Sequence, residues 1–154
     1  MSTDTRVSLT LLNEVYTHLH LRGVKYGFGS KAPSLDCDTS KIDRIDCSGF
    51  TRYVLAKATA QRLIIPDGSV NQHDWAKEHL QECPYGPTTV GIAISPRLYI
   101  AFLSPRGGHP GHVWLVRQAY TRESHGSVGV DARPWDTPVL AENVDGCYIL
   151  PSRP

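Results

Sequence analysis

The sequence predicts an α+β domain with helices packed on one side of an antiparallel sheet, and three observations predict it. In the first half, apolar residues recur three and four apart, the helical period. From residue 89 onward they come instead in short runs bounded by Gly, Pro and polar clusters, the mark of strands. The two characters do not alternate: helices come first and strands second, the order of an α+β domain rather than of a parallel α/β one. The 154 residues read as one domain, with a core over about residues 8–150 and a short tail or linker start at 151–154.

Taken in order, Val7, Leu11, Val15 and Leu19 form one stripe with Leu12 and Tyr16 beside it. This predicts a helix over 7–21, capped by Ser2, Thr3 or Asp4 and closed by Gly23. Tyr26-Gly27-Phe28-Gly29-Ser30 places two glycines around an aromatic, which suggests a tight backbone path, and 31–45 reads as a loop. A second helix is expected from Cys47 to about residue 62, because Phe50, Val54 and Ala58 recur four apart. Pro66-Asp67-Gly68 marks a turn, and a short helix follows from Ser69 or Asn71 to about residue 81. Pro84 and Pro87 break the chain. Strands are then predicted at 89–94, 97–103, 111–118, 119–123 and 146–150. In the third of these, His112, Trp114 and Val116 share one face and Val113 and Leu115 the other. Residues 124–130 are Gly-rich and less regular, and Pro134 and Pro138 make a loop around Trp135. The three tryptophans read as core or groove wall, with a sugar platform as the alternative for Trp135. Pro151 and Pro154 cannot continue the last strand.

The stretch Asp46-Cys47-Ser48-Gly49-Phe50 carries the chemistry. Asp46 and Ser48 are helix-capping residue types, so Cys47 is expected in the first turn of its helix. Aligned peptide dipoles there favour a thiolate. A cysteine taken alone is more often a buried packing residue, and what argues otherwise is the set of histidines that follows. A nucleophilic thiol needs a base and a group to orient that base. His112, at the start of a strand, is the candidate base. His125 lies 13 residues further on, which suits a neighbouring antiparallel strand, and it is the candidate orienting group. Glu123, Ser124, Asn143 and Asp145 are alternatives for that role.

Composition narrows the rest. The net charge is +1 and no Lys/Arg run is present, so no nucleic-acid partner is expected. The longest mainly apolar stretches are about ten residues, too short to span a membrane. The polar start, Met1 to Arg6, is no signal peptide, which places synthesis in the cytoplasm. Cys37, Cys47, Cys83 and Cys147 are separated by 10, 36 and 64 residues, matching no zinc pattern. A disulfide framework is not expected, although a single bridge such as Cys37–Cys83 stays open. His109-x-x-His112 is too slight to carry a zinc site. The protein is expected to act as a monomer.

Four motifs, in this order, resemble the NlpC-type cell-wall peptidases, a papain-like family of cysteine hydrolases. They are Tyr26-Gly27-Phe28-Gly29, Asp46-Cys47-Ser48-Gly49-Phe50, Gly111-His112-Val113 and Ser124-His125-Gly126. The second is the specific part, and the resemblance covers most of the chain. It implies a papain-like NlpC fold, with the Cys-bearing helix packed on a central antiparallel sheet. It also implies an endopeptidase that cuts an amide bond in the stem peptide of bacterial peptidoglycan. In that reading Cys47 is the nucleophile, His112 the base and His125 the orienting residue. Tyr26 serves the oxyanion together with the backbone N–H of Cys47, and Asp46 and Ser48 bind substrate. Neither a metal nor an organic cofactor is implied. The run Glu123-Ser124-His125-Gly126, followed by Arg133-Pro134-Trp135, is similar to the domain found in lysins of bacteriophages that infect mycobacteria. That implies a host-lysis enzyme, waiting in the host cytoplasm before release to the wall or carried on the virion. Two departures bear on the groove: the charged, Cys37-bearing loop between Gly29 and Asp46, and the long segment between the Cys47 helix and the sheet. An amidase cutting between muramic acid and L-Ala, a transacylase, and a non-catalytic wall-binding or virion module remain open alternatives.

Overall fold

The computed structural model describes residues 3–83 and 95–154, so the predicted break at 84–87 and strand at 89–94 lie outside the described residues. Val7–Ser8 is a short strand, β1, and not the first turn of a helix. Helix α1 spans Leu9–Leu21, because its N-cap is Ser8 rather than Ser2, Thr3 or Asp4. The Ser8 hydroxyl accepts the Leu11 N–H, one of the donors a helix start leaves unpaired. Helix α2 spans Cys47–Ala58 and is buried nearly all round. It stops short of residue 62 because Ala60 and Gln61 take left-handed backbone, φ 51° and 66°, which a helix cannot continue. Helix α3 spans Ser69–His79.

The strands follow: β2 Gln81–Glu82, β3 Leu98–Leu103, β4 His112–Arg117, β5 Tyr120–His125, β6 Gly129–Asp131 and β7 Gly146–Leu150. They form one six-stranded sheet in the order β2-β7-β3-β4-β5-β6 with antiparallel pairs throughout. A short helix, α4 (Pro138–Ala141), precedes β7, and β8 (Ser152–Arg153) follows it. Residues 151–154, read from the sequence as a tail, are tied down instead. Strand β8 pairs in parallel with β1, and the Pro151 carbonyl accepts the Val7 N–H. Proline lacks only the donor; its carbonyl is free to pair.

The sheet alternation creates two cores. On the helix side, Ile100, Phe102, Val113, Leu115 and Leu150 pack with Leu12, Leu19, Phe50, Val54 and Leu55. On the far side, Tyr99, Ala101, Trp114, Val116 and Cys147 are covered by Trp135 and Leu140. The predicted α+β class holds, with the long helices on one face and α4 on the other. Trp135 is 5% exposed and so offers no open platform for a sugar. All four cysteines are free, and Cys83 lies against Cys147, 3.4 Å between sulfurs, rather than against Cys37.

Candidate active site

Three hydrogen bonds fix the path of the chain into Cys47. The Ile45 N–H reaches the Lys25 carbonyl at 2.9 Å and the Asp46 N–H reaches the Ser30 carbonyl at 2.8 Å. From β5, the Ser124 hydroxyl donates to the Ile45 carbonyl at 2.7 Å. Asp46 is then the N-cap of α2, its Oδ1 accepting the Gly49 N–H at 2.6 Å. Cys47 is the first helical residue, as the capping residue types predict, and it is buried. Its thiol lies within reach of the backbone N–H of Val113, the residue after His112, and of Ser48. The helix start nevertheless does not by itself favour a thiolate. Burial pushes the Cys47 thiol up, the Asp46 carboxylate adds to this, and the two N–H groups and the Lys31 ammonium only partly offset them. In so dry a place desolvation of the anion outweighs the two N–H groups and the ammonium.

His112 opens β4, and its ring is held by a carboxylate rather than by a second imidazole. Nε2 lies 2.7 Å from Oε1 of Glu123, a fully buried residue. Glu123 also accepts from Arg133, Nη2 at 2.5 Å and Nε at 3.0 Å, and from the Thr121 hydroxyl. Burial alone would raise the Glu123 carboxyl; hydrogen bonds and charge from His112 and Arg133 outweigh it and hold the group down at about 2. Glu123 is therefore an anion at neutral pH.

His125, the expected orienting residue, has other partners. Its Nε2 lies 3.0 Å from Asp131 Oδ2, and its Nδ1 lies 3.2 Å from the Gly126 carbonyl. The reason is in the register: β5 pairs with β4 from Arg117↔Tyr120 to Leu115↔Arg122, whereas at its far end His125 pairs with Gly129 of β6. The alternatives Ser124, Asn143 and Asp145 are likewise bonded elsewhere, to Ile45, Val139 and Ser104 with Arg106.

A groove runs past the thiol. One cavity of about 310 Å³ is lined by His112, His125 and Arg133, and one of about 260 Å³ by Cys47, Asp46, Ser48 and the exposed Phe28. Tyr26, Pro110 and Gly111 line both, so Tyr26 stands where the halves meet. Burial and the neighbouring Cys47 push the Tyr26 hydroxyl up.

Sequence reasoning overlooked the group that occupies Asp46 and Ser48. The Lys31 ammonium lies 2.8 and 2.7 Å from the two Asp46 oxygens and 2.8 Å from the Ser48 hydroxyl. It also lies 3.0 Å from Asp67. The two residues expected to bind substrate are thus engaged by the chain's own cation. Nothing in the pattern of a charged loop marks Lys31 apart from Lys41. Gln72 was also overlooked: its Nε2 donates to the Ser48 and Pro66 carbonyls and its Oε1 accepts the Thr51 hydroxyl, which fixes α3 against the first turn of α2. A buried glutamine in a short polar helix has no signature of its own. Among the described residues no three His, Cys, Asp or Glu side chains converge as a metal-binding group. His109 instead accepts the Gly111 N–H.

No protein-family model matches the sequence, and no curated protein does. Among solved structures, the crystal structure of an NlpC/P60 family protein from Bacillus cereus ATCC 10987 matches with a TM-score of 0.53 at 18% identity. The match covers 88% of this chain and 40% of that one, so this chain spans less than half the length of its neighbour. That likeness concerns architecture: the chain has the α+β, papain-like fold of an NlpC/P60 protein.

Proposed function

We propose that this protein is a cysteine peptidase that cuts an amide bond in the stem peptide of bacterial peptidoglycan. The observation that carries this reading is the meeting of a helix start with a strand start. The Cys47 thiol, at the first residue of α2, lies within reach of the Val113 N–H of β4, next to His112, whose ring is fixed by a buried carboxylate. His112 takes the Cys47 proton through Nδ1, and the sulfur attacks the amide carbonyl. The tetrahedral oxyanion is met by the Cys47 N–H and the Tyr26 hydroxyl. The Glu123 anion stabilises the imidazolium while it lasts. His112 then protonates the leaving amine, and water attacks the acyl-enzyme to free the thiol. The wall substrate is supported by the four sequence motifs, which the fold gathers around one groove. The phage-lysin setting, with the enzyme held in the host cytoplasm or on the virion, belongs to the same proposal. The local likeness through 123–126 and 133–135 supports it.

The test is digestion of purified peptidoglycan, including the mycobacterial type, with native protein and Cys47→Ala side by side, followed by mass spectrometry of the released fragments. New peptide termini with the native protein alone are expected, and they name the bond. A free L-Ala amine on those fragments would make the enzyme an amidase. No release with either protein on several wall types would overturn the reading.

A further inference from the structure

The Lys31–Asp46 contact is not an ordinary surface ion pair. An exposed pair is worth little because both partners stay in water. Here the Asp46 side chain is 10% exposed and the ammonium spends its donors on acceptors from three places in the chain: Asp46, Ser48 and Asp67. Asp46 and Ser48 are the immediate neighbours of Cys47, and all of these except Asp67 line the same cavity as the thiol. Gly49 leaves the room: a Cβ there would stand 2.8 Å from Asp46 Oδ1 and 3.0 Å from Lys31 Cδ.

This arrangement answers a problem that the capping residue creates. Asp46 caps α2 with a full negative charge directly beside the group that must become an anion. Uncompensated, that charge works against ionisation of the thiol. The charged and titratable groups around Cys47 are Asp46 and Lys31 on one side, Tyr26 at the groove junction, and His112 on β4. Of these, Lys31 alone is a permanent cation.

We propose that Lys31 is a positioning residue of this site: its ammonium offsets the charge of the Asp46 carboxylate beside Cys47 and joins Asp46 and Ser48 to Asp67 in the turn before α3. The helix cap is thereby kept at a reduced electrostatic cost to the thiol. The purpose of the device rests on the cysteine-hydrolase reading; the device itself does not.

The experiment follows iodoacetamide alkylation of Cys47 against pH, read by mass spectrometry on the Cys47 peptide so that the other three cysteines do not interfere. The proteins are the native form, Lys31→Met, Lys31→Arg and Asp46→Asn. Lys31→Met exposes the thiol to an unbalanced carboxylate and is expected to slow alkylation at neutral pH by about tenfold, one pH unit in the profile. Lys31→Arg restores most of the rate. Asp46→Asn keeps a capping side chain but removes the charge, and it is expected to shift the profile the other way, toward faster alkylation. Structural damage would move both variants in one direction; charge compensation moves them in opposite ones. Unchanged profiles, or shifts of the same sign, overturn the proposal. Should Lys31→Met not fold, Lys31→Gln takes its place: slower alkylation supports the proposal, and equal or faster alkylation overturns it. Alkylation reads the thiol whether or not any wall bond is cut, so a failure of the peptidase reading leaves this result standing.

Discussion

At Glu123, an imidazole, a guanidinium and a hydroxyl converge on one buried carboxylate. That convergence sets different costs for different substitutions. Glu123→Gln keeps the shape but loses the anion that, in the proposed mechanism, stabilises the His112 imidazolium, and kcat is then expected to fall by roughly a hundredfold or more. Glu123→Ala in addition strands the half-buried Arg133, and breaking such a pair is expected to cost about 3–5 kcal/mol in urea unfolding. In the proposed mechanism His112→Ala removes the base and is expected to cost about a thousandfold in kcat, whereas His125→Ala costs clearly less. His125 lines the groove while its ring is spent on Asp131 and Gly126. Equal losses at the two histidines would count against these roles. Cys47 at a helix start and His112 at a strand start could be read from the sequence because each stands in a short motif. The partner of the His112 ring could not, because the sequence marks the end of the strand near 123 only loosely, and it is the pairing of each end of β5 that separates Glu123 from His125.

At the scale of the element, the first turn of α2 depends on a glycine for a reason that reverses the usual sign. Replacing a helical glycine by alanine ordinarily gains up to about 1 kcal/mol. At Gly49 the added Cβ would push on Asp46 Oδ1 and Lys31 Cδ, both held by their own bonds. Gly49→Ala is therefore expected to lose about 1–2 kcal/mol net, through a broken cap and overpacking, in a thermal or urea melt. A stabilised variant would show that the cap is looser than its geometry implies. Periodicity located α1, α2, α3 and the core strands because burying one face imposes a repeat on the sequence. It misjudged the ends. Ser8 rather than Asp4 caps α1, and left-handed residues at Ala60 and Gln61 end α2, since caps and backbone reversals are decided by single residues that carry no repeat.

Over the whole molecule, Glu123 links the site to the stability of the fold. Its folded carboxyl is held at about 2, below the 4.5 of an ordinary glutamate. A lowered carboxyl contributes stability that is fully present above the ordinary value and is lost as pH falls from about 4.5 toward 2. The size is on the order of 3 kcal/mol at neutral pH. The urea midpoint is expected to drop steeply across that window in the native protein and less steeply in Glu123→Gln; parallel curves would deny the link. The sequence by itself determined the class of fold, the place of Cys47 at a helix start and of His112 at a strand start, because these follow from local period and local capping chemistry. Only the tertiary structure decided the rest: that Glu123 rather than His125 holds the His112 ring, that Lys31 occupies Asp46 and Ser48, and that residues 151–154 close back onto Val7. Those contacts join residues 11, 15 and more than 140 positions apart, and their strength comes from the water excluded around them, which no stretch of sequence displays.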